Sequence, residues 1–265
     1  FFSGAAVLFL ICIPFYLLQR DRPRDVGLKE IEEYHGEPTE VVDARHAPGE
    51  EQEGSWELIG KVIRSPPVLV MAAAYFLLKP ARYAILFWGP VIASERIASD
   101  SFALAAALPA AFQAAGLVAP IAIGFVSDKL FQARRFPACV LSLLLLAIVL
   151  LLFGPLTSSG SSGGMLVAFF LIGLFLFGPD SMMSGTAAVD FGTKKAAGTA
   201  AGFINGVGSF GQILGVALPG YLMVWFPGDD TTIMLFYGFS ASALVASVLL
   251  IPLWNRVPPT PRVSS

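Results

Sequence analysis

Charge is what this sequence has least of. Only 14% of its 265 residues are Asp, Glu, Lys or Arg, where a soluble domain carries about a quarter. Fully 55% are hydrophobic, and the mean hydropathy is +0.72. An ordinary soluble domain is excluded, and so is the broad basic face that a nucleic-acid partner requires. The net charge of −2 is uninformative, because the charges are segregated by loop. Cysteine is scarce: Cys12 and Cys139 both fall in apolar runs, so packing is expected of them rather than a disulfide framework. His35 and His46 lie in a long polar stretch without a Cys or second His at ligand spacing, and both are read as solvated, with no metal. No nucleophile–base pair is visible. The glycine-rich run 198–215 is apolar and follows no strand, so it is not a phosphate-cradling nucleotide loop. Neither an enzyme nor a cofactor is expected.

The chain opens on Phe1, inside an apolar stretch without signal-peptide architecture, and is read as beginning within a larger membrane protein. A spanning helix needs about 20 mostly apolar residues. Seven segments qualify or nearly so: 1–18, 67–93, 102–126, 137–156, 165–186, 197–225 and 232–253. An all-α membrane protein is expected. Lys and Arg concentrate in 19–65, in 127–136, at Lys194 and Lys195, and at Arg256 and Arg262 of the tail. The loops between the other span ends hold only Arg96. By the positive-inside rule the basic loops are cytosolic, which puts the first residue outside and the carboxy terminus in the cytosol. The 19–65 loop is expected to be a central cytosolic linker, with a short surface helix at Leu28–Tyr34 and a flexible stretch at Asp43–Gly54.

After the first span, six divide into two triplets: 67–93, 102–126, 137–156, then 165–186, 197–225, 232–253. Each opens on a span with a buried charge, continues with one rich in small residues and closes on an apolar one. An odd number of spans inverts one triplet relative to the other, as in the 3+3 repeats of major facilitator transporters. The last span of the first triplet is apolar all round and is expected to face lipid. Gly198, Gly202 and Gly206 recur every four residues and are expected to admit a neighbouring helix. On the same helix Asn205, Ser209 and Gln212 form a polar stripe, either bonding between helices or lining a cavity.

The charged positions inside spans carry the functional argument. A charge at bilayer depth costs at least about 2.5–3.5 kcal/mol on insertion scales. Tyr75, Lys79 and Arg82 share one helical face, and Pro80 interrupts the backbone ladder among them. Arg82 lies roughly 22 Å along a helix starting near Pro67, at 1.5 Å per residue, too deep to reach the cytosolic face easily. Two cations one turn apart with no acid beside them suit an anion. Arg offers a planar fork fitted to phosphate, and Lys a point charge. Lys79 has a second reading, an ion pair with an acid elsewhere. Asp180, in GLFLFGPDSMMSG, is that acid: it could pair with Lys79 or Arg82, accept a substrate hydroxyl or carry a proton. Ser181 and Ser184 are weaker neighbours. In GFVSDKLFQARR (124–135), Asp128, Lys129, Arg134 and Arg135 suit contacts with neighbouring helix ends that hold a cytosolic gate closed, or simply set topology.

Four stretches, RPRDVGLKEIEEY (22–34), ARYAILFWGP (81–90), GFVSDKLFQARR (124–135) and KKAAGTAAGF (194–203), resemble the organophosphate:phosphate antiporters of the major facilitator superfamily. The resemblance covers nearly the whole chain. It implies the carboxy-terminal half of a twelve-helix fold: a truncated sixth span at 1–18, the central loop 19–65, and a six-helix half at 66–265. It implies exchange of a sugar phosphate or glycerol phosphate for inorganic phosphate across a lipid bilayer, in partnership with an amino-terminal half outside this chain. Arg82 takes the place of the seventh-span arginine that grips phosphate in the family. Tyr75, Lys79, Asp180, Asn205 and Gln212 are the further substrate contacts expected, and Asp128, Arg134 and Arg135 the gating loop. This chain departs from the family at Phe87 and Gln113, where acids are frequent, at Lys79, where an aromatic is usual, and at Asp180, where relatives are apolar. Two other functions remain open: a sensor of hexose phosphate that does not transport, and a proton-coupled organic-anion symporter.

Overall fold

A computed structural model describes residues 2–20, 23–29, 55–96, 102–158, 160–188, 197–227 and 229–256. The helices are α1 (Phe2–Leu18), α2 (Ser55–Ile63), α3 (Pro66–Arg96), α4 (Phe102–Leu130), α5 (Arg135–Leu151), α6 (Phe153–Thr157), α7 (Ser162–Ser181), α8 (Ala197–Trp225) and α9 (Asp229–Leu250), with 3-10 turns at Pro23–Val26 and Ile251–Leu253. No strand occurs among the described residues. Five stretches are long and apolar enough to cross a membrane: Pro66–Ile92, Ala107–Leu130, Ser162–Thr186, Ala197–Trp225 and Thr231–Leu253. Phe2–Leu18 and Arg135–Leu151 are shorter apolar helices.

The chain divides into two units. In the first, α1 has 17 residues with Pro14 inside, and residues 28–29 are not helical. The remainder of the expected surface helix, the Asp43–Gly54 stretch and the Lys194–Lys195 loop lie outside the described residues. The second unit, Glu53–Thr260, holds the helix bundle.

Local sequence explains where these helices begin and break. Pro66 and Pro67 open α3 in the first turn, where a missing N–H costs nothing. Ser161 caps α7, its side chain accepting from the Gly164 N–H at 3.5 Å. The expected span 137–156 is not one helix: it breaks at Leu152. Pro155 lies three residues on and cannot donate to the ladder that would continue α5. Nor is α5 apolar all round to lipid, because Phe136, Cys139, Val140, Leu143, Leu146, Ala147 and Leu150 bury one of its faces.

The bundle has a regular pattern of neighbours. Helix α3 packs most extensively on α8, and α4 on α7. Helix α9 lies against α5 and α3, and α5 against α7. Exchanging the triplets α3–α4–α5 and α7–α8–α9 maps α3·α8 onto α7·α4 and α3·α9 onto α7·α5. That is the pairing a repeated triplet produces, and it answers to the two repeats read from the sequence.

Glycine sets the closest of these approaches, but not the expected glycines. A Cβ at Gly198, Gly202 or Gly206 would meet nothing within 4 Å. The α3–α8 contact runs instead along Gly208, Gly211 and Gly215, where a Cβ would strike the Tyr75 ring, the Phe76 carbonyl and the Pro80 carbonyl. Both stripes have helical spacing, and only the second faces the partner. On the other pair, a Cβ at Gly173 of α7 would lie 2.5 Å from the Phe112 carbonyl of α4.

Two prolines stand beside the buried charges, Pro80 next to Lys79 and Pro179 next to Asp180. Each lacks the N–H that would satisfy the carbonyl four residues back and disturbs the turn around it. Serines from the third helices fill in. Ser142 of α5 donates to the Phe175 carbonyl at 3.0 Å, the one Pro179 leaves free. Ser242 of α9 donates to the Leu77 carbonyl at 2.7 Å, in the turn that Pro80 interrupts.

Candidate functional site

The charged set forms where the first helices of the two triplets meet. Arg82 of α3 donates from Nη1 to Asp180 Oδ2 of α7 at 2.7 Å, with side chains 26% and 11% exposed. The sequence left Asp180 open to Lys79 or Arg82, and the fold joins it to Arg82. The guanidinium also lies over the Phe177 ring, 4.8 Å from its centroid, and 5.7 Å from that of Tyr83. Phe177 precedes Asp180 by one helical turn, so one face of α7 supplies both the counter-charge and the aromatic platform.

Lys79 is buried, with 6% of its surface exposed, yet makes no ion pair or hydrogen bond among the described residues. Its ammonium lies 4.7 Å from the Tyr75 centroid and 5.4 Å from the Tyr83 centroid. A desolvated cation over an aromatic face gains about 2 kcal/mol, which offsets only part of the burial. The second reading of Lys79, an ion pair, is not met at contact distance among the described residues. Tyr75 donates to Asn205 Oδ1 of α8 at 3.3 Å, which assigns Asn205 to this cluster, and Asn205 Nδ2 returns a bond to the Ala201 carbonyl at 3.0 Å.

The carboxylate is only half used. Asp180 is 8% exposed, and its Oδ1 is buried with no hydrogen-bond partner among the described residues. Leaving such an acceptor unsatisfied costs about 1–3 kcal/mol, more when it is charged. Directly after it the helix widens into a π segment, Met182–Thr186, a distortion frequent at functional sites. Ser184 there donates to the Asp180 main-chain carbonyl at 2.6 Å, and Ser181 to that of Gly178 at 2.9 Å. Neither serine's bond reaches the carboxylate.

The other expected residues fall elsewhere. Gln212 is half-buried on α8, with no hydrogen bond or ion pair to the charges among the described residues. Ser209 is exposed and bonds its own helix at the Asn205 carbonyl, so the polar stripe contributes one residue, Asn205, to the cluster. At the far end of α4, Arg135 pairs with Asp128 at 2.9 Å and Arg134 donates to Asn255 Oδ1 at 3.2 Å. Gln132 and Ala133 both take positive φ there, 53° and 63°. The Ala133 N–H and the Ser127 hydroxyl hold that turn, bonding the Ser127 and Arg134 carbonyls. This loop thus ties the ends of α4 and α5 to the segment that follows α9. A separate apolar groove of about 110 Å³ between α4, α5 and α7, floored by Ile123, Leu141, Leu174 and Phe175, shares no lining residue with the charges.

Sequence reasoning passed over Phe177, Tyr83, Ser142 and Ser242. Ser142 had a legible signal: a proline at i frees the carbonyl at i−4, so Pro179 calls for a donor to Phe175 from a neighbouring span, whereas Ser242 bonds Leu77, three residues before Pro80.

A helical membrane bundle with two exchangeable triplets around an intramembrane ion pair defines a class of protein. The chain belongs to the Major Facilitator Superfamily, whose family model matches residues 1–216. It is 31% identical over 243 residues to the "Membrane sensor protein UhpC" of Escherichia coli (strain K12), covering 91% of this chain and 53% of that protein. It is 31% identical over 268 residues to the "Glycerol-3-phosphate transporter" of Bacillus subtilis (strain 168), covering 96% and 56%. With a "Probable hexose phosphate transport protein" of Chlamydia trachomatis it shares 33% identity over 264 residues, covering 93% and 55%. The chain spans about half the length of the curated relatives it matches, and it is an integral membrane protein.

Proposed function

We propose that this chain is the carboxy-terminal half of an organophosphate:phosphate antiporter. The observation that carries this reading is the pair of buried cations on α3: Arg82, with guanidinium donors left beyond the one given to Asp180, and Lys79, without an acidic contact among the described residues. Together with a single carboxylate they leave a positive site at membrane depth, which a phosphate monoester fits. Arg82 and Lys79 hold the phosphate, and Asp180 and Asn205 face the organic moiety. The relatives' names, glycerol-3-phosphate and hexose phosphate transporters, support the substrate class.

Coupling follows from charge. With the cationic site empty, reorienting exposes an uncompensated charge to the bilayer interior, whereas a bound anion lowers that barrier. Exchange is thus favoured over net transport. The Asp128–Arg135 and Arg134–Asn255 contacts hold the cytosolic ends of α4 and α5 to the segment that follows α9 and serve the gate on that side, with the basic loops cytosolic. An amino-terminal half supplies the opposing wall of the site.

The test is counterflow of labelled phosphate in vesicles containing the full-length protein. Glycerol 3-phosphate or glucose 6-phosphate outside is expected to drive efflux, and Arg82→Ala to lower it at least about 100-fold, the scale of a lost charge-assisted fork. Undiminished exchange in that variant sinks the assignment. A second reading, a hexose-phosphate sensor, is favoured by the similarity to UhpC; saturable binding without flux in the same vesicles would select it.

A further inference from the structure

We infer that Asp180 is a specificity residue: its free Oδ1 accepts a hydroxyl of the substrate close to the phosphate ester, selecting hydroxylated phosphate monoesters over both bare and carboxylated ones. The inference rests on the phosphate reading of Arg82 and adds to it the chemistry of the organic part.

The geometry separates the two carboxylate oxygens. Oδ2 is committed to Arg82 Nη1 at 2.7 Å. Oδ1 is buried and unpartnered among the described residues, although a carboxylate oxygen has room for two donors. Of the nearby donors, Tyr75 bonds Asn205 at 3.3 Å with its hydroxyl also beside the Asp180 carboxylate, and Ser181 and Ser184 bond main-chain carbonyls. A buried charged acceptor that makes no hydrogen bond among the described residues has room for a donor brought by a ligand. A phosphate on the open edge of the same guanidinium places its ester oxygen beside Asp180, and a hydroxyl a few bonds further along the carbon chain reaches Oδ1.

The same carboxylate rejects. A substrate carboxylate in that position would face Asp180 as a like charge in a site with few polar groups to screen it, so phosphorylated carboxylic acids are disfavoured. A phosphate ester without hydroxyls leaves Oδ1 orphaned, and a site built around an acceptor discriminates strongly against the analogue that lacks the donor. Inorganic phosphate gains only the cations.

Three phosphate monoesters of similar length isolate the effect: glycerol 3-phosphate with hydroxyls, propyl phosphate without them, and phosphoglycolate with a carboxylate. Each competes with labelled inorganic phosphate for the purified full-length protein at equilibrium, so no transport step enters. In the unmodified protein glycerol 3-phosphate is expected to bind at least about tenfold more tightly than propyl phosphate, the scale of a hydrogen bond to a charged group, with phosphoglycolate weakest. Asp180→Ala is expected to bring all three within about threefold, and Asp180→Asn, which keeps an acceptor oxygen but no charge, to lift the discrimination against phosphoglycolate. Both should also tighten inorganic phosphate by releasing Arg82. Equal binding of glycerol 3-phosphate and propyl phosphate by the unmodified protein overturns the inference without any variant. So does a preference that survives Asp180→Ala. Failure of the underlying reading looks different: labelled phosphate either does not bind the unmodified protein or binds Arg82→Ala as well.

Discussion

The two helices that bring charge into this bundle, α3 and α7, are built alike and finished differently. Each has a proline beside its charge, Lys79–Pro80 and Pro179–Asp180, and each receives a serine hydroxyl from a third helix in the weakened turn. Beyond the charge they diverge. Helix α3 continues to Arg96 under the glycine face of α8, and Trp88 adds a bond from Nε1 to the Val216 carbonyl at 2.9 Å. Helix α7 loses its regular ladder at once and becomes a π segment. The cations thus stand on a clamped element, and the anion at the start of a loosened one. On the proposed antiporter reading, the packing points to Asp180 as the partner of the Arg82–Asp180 pair that moves when phosphate arrives.

Breaking the clamp should give the largest effect. Gly211→Ala and Gly215→Ala press a methyl onto backbone carbonyls of α3, which cannot rotate away. Each is expected to destabilise by about 3 kcal/mol, the upper end of overpacking costs, seen as early unfolding in detergent. Gly202→Ala, on the open face, should unfold like the unmodified protein or slightly later, since alanine is the better helix former. Equal behaviour of the three would mean that α8 does not seat on α3 through this stripe.

A smaller effect tests the likeness of the two helices. Ser142→Ala and Ser242→Ala each remove one donor to a proline-disturbed turn and are expected to cost about 1 kcal/mol apiece. The double variant should lose about the sum, because the turns are served independently. A cost confined to one serine would break the parallel between α3 and α7. The smallest signal tests their difference: amide exchange over Met182–Thr186 is expected to outpace that over Ala81–Ile85 while both stay slow. Slower exchange in the π segment would reverse the assignment of the mobile partner.

Much of this was legible beforehand. A cation in an apolar run is conspicuous because hydrocarbon penalises it, so Arg82, Lys79 and Asp180 announced themselves. The triplet division followed from the order of charged, small-residue and apolar spans. Three things escaped. The glycine stripe was placed at 198–206 rather than 208–215, since both have the required period and only the rotation of α8 distinguishes them. The span at 137–156 read as uniform because its buried and exposed faces use the same residue types. Gln212 shared a stripe with Asn205, but only Asn205 lies opposite Tyr75.

Composition alone determined that this protein lives in a membrane, because the cost of burying polar groups in lipid depends on residue type and needs no partner. The sequence likewise determined where unpaired charge and interrupted backbone would occur. Only the tertiary structure decided how those needs were met: Arg82 rather than Lys79 took Asp180, and one carboxylate oxygen was left over. Pairing depends on distances between residues 98 positions apart, and the electrostatic preference between two neighbouring cations is too small to read before the helices are in place.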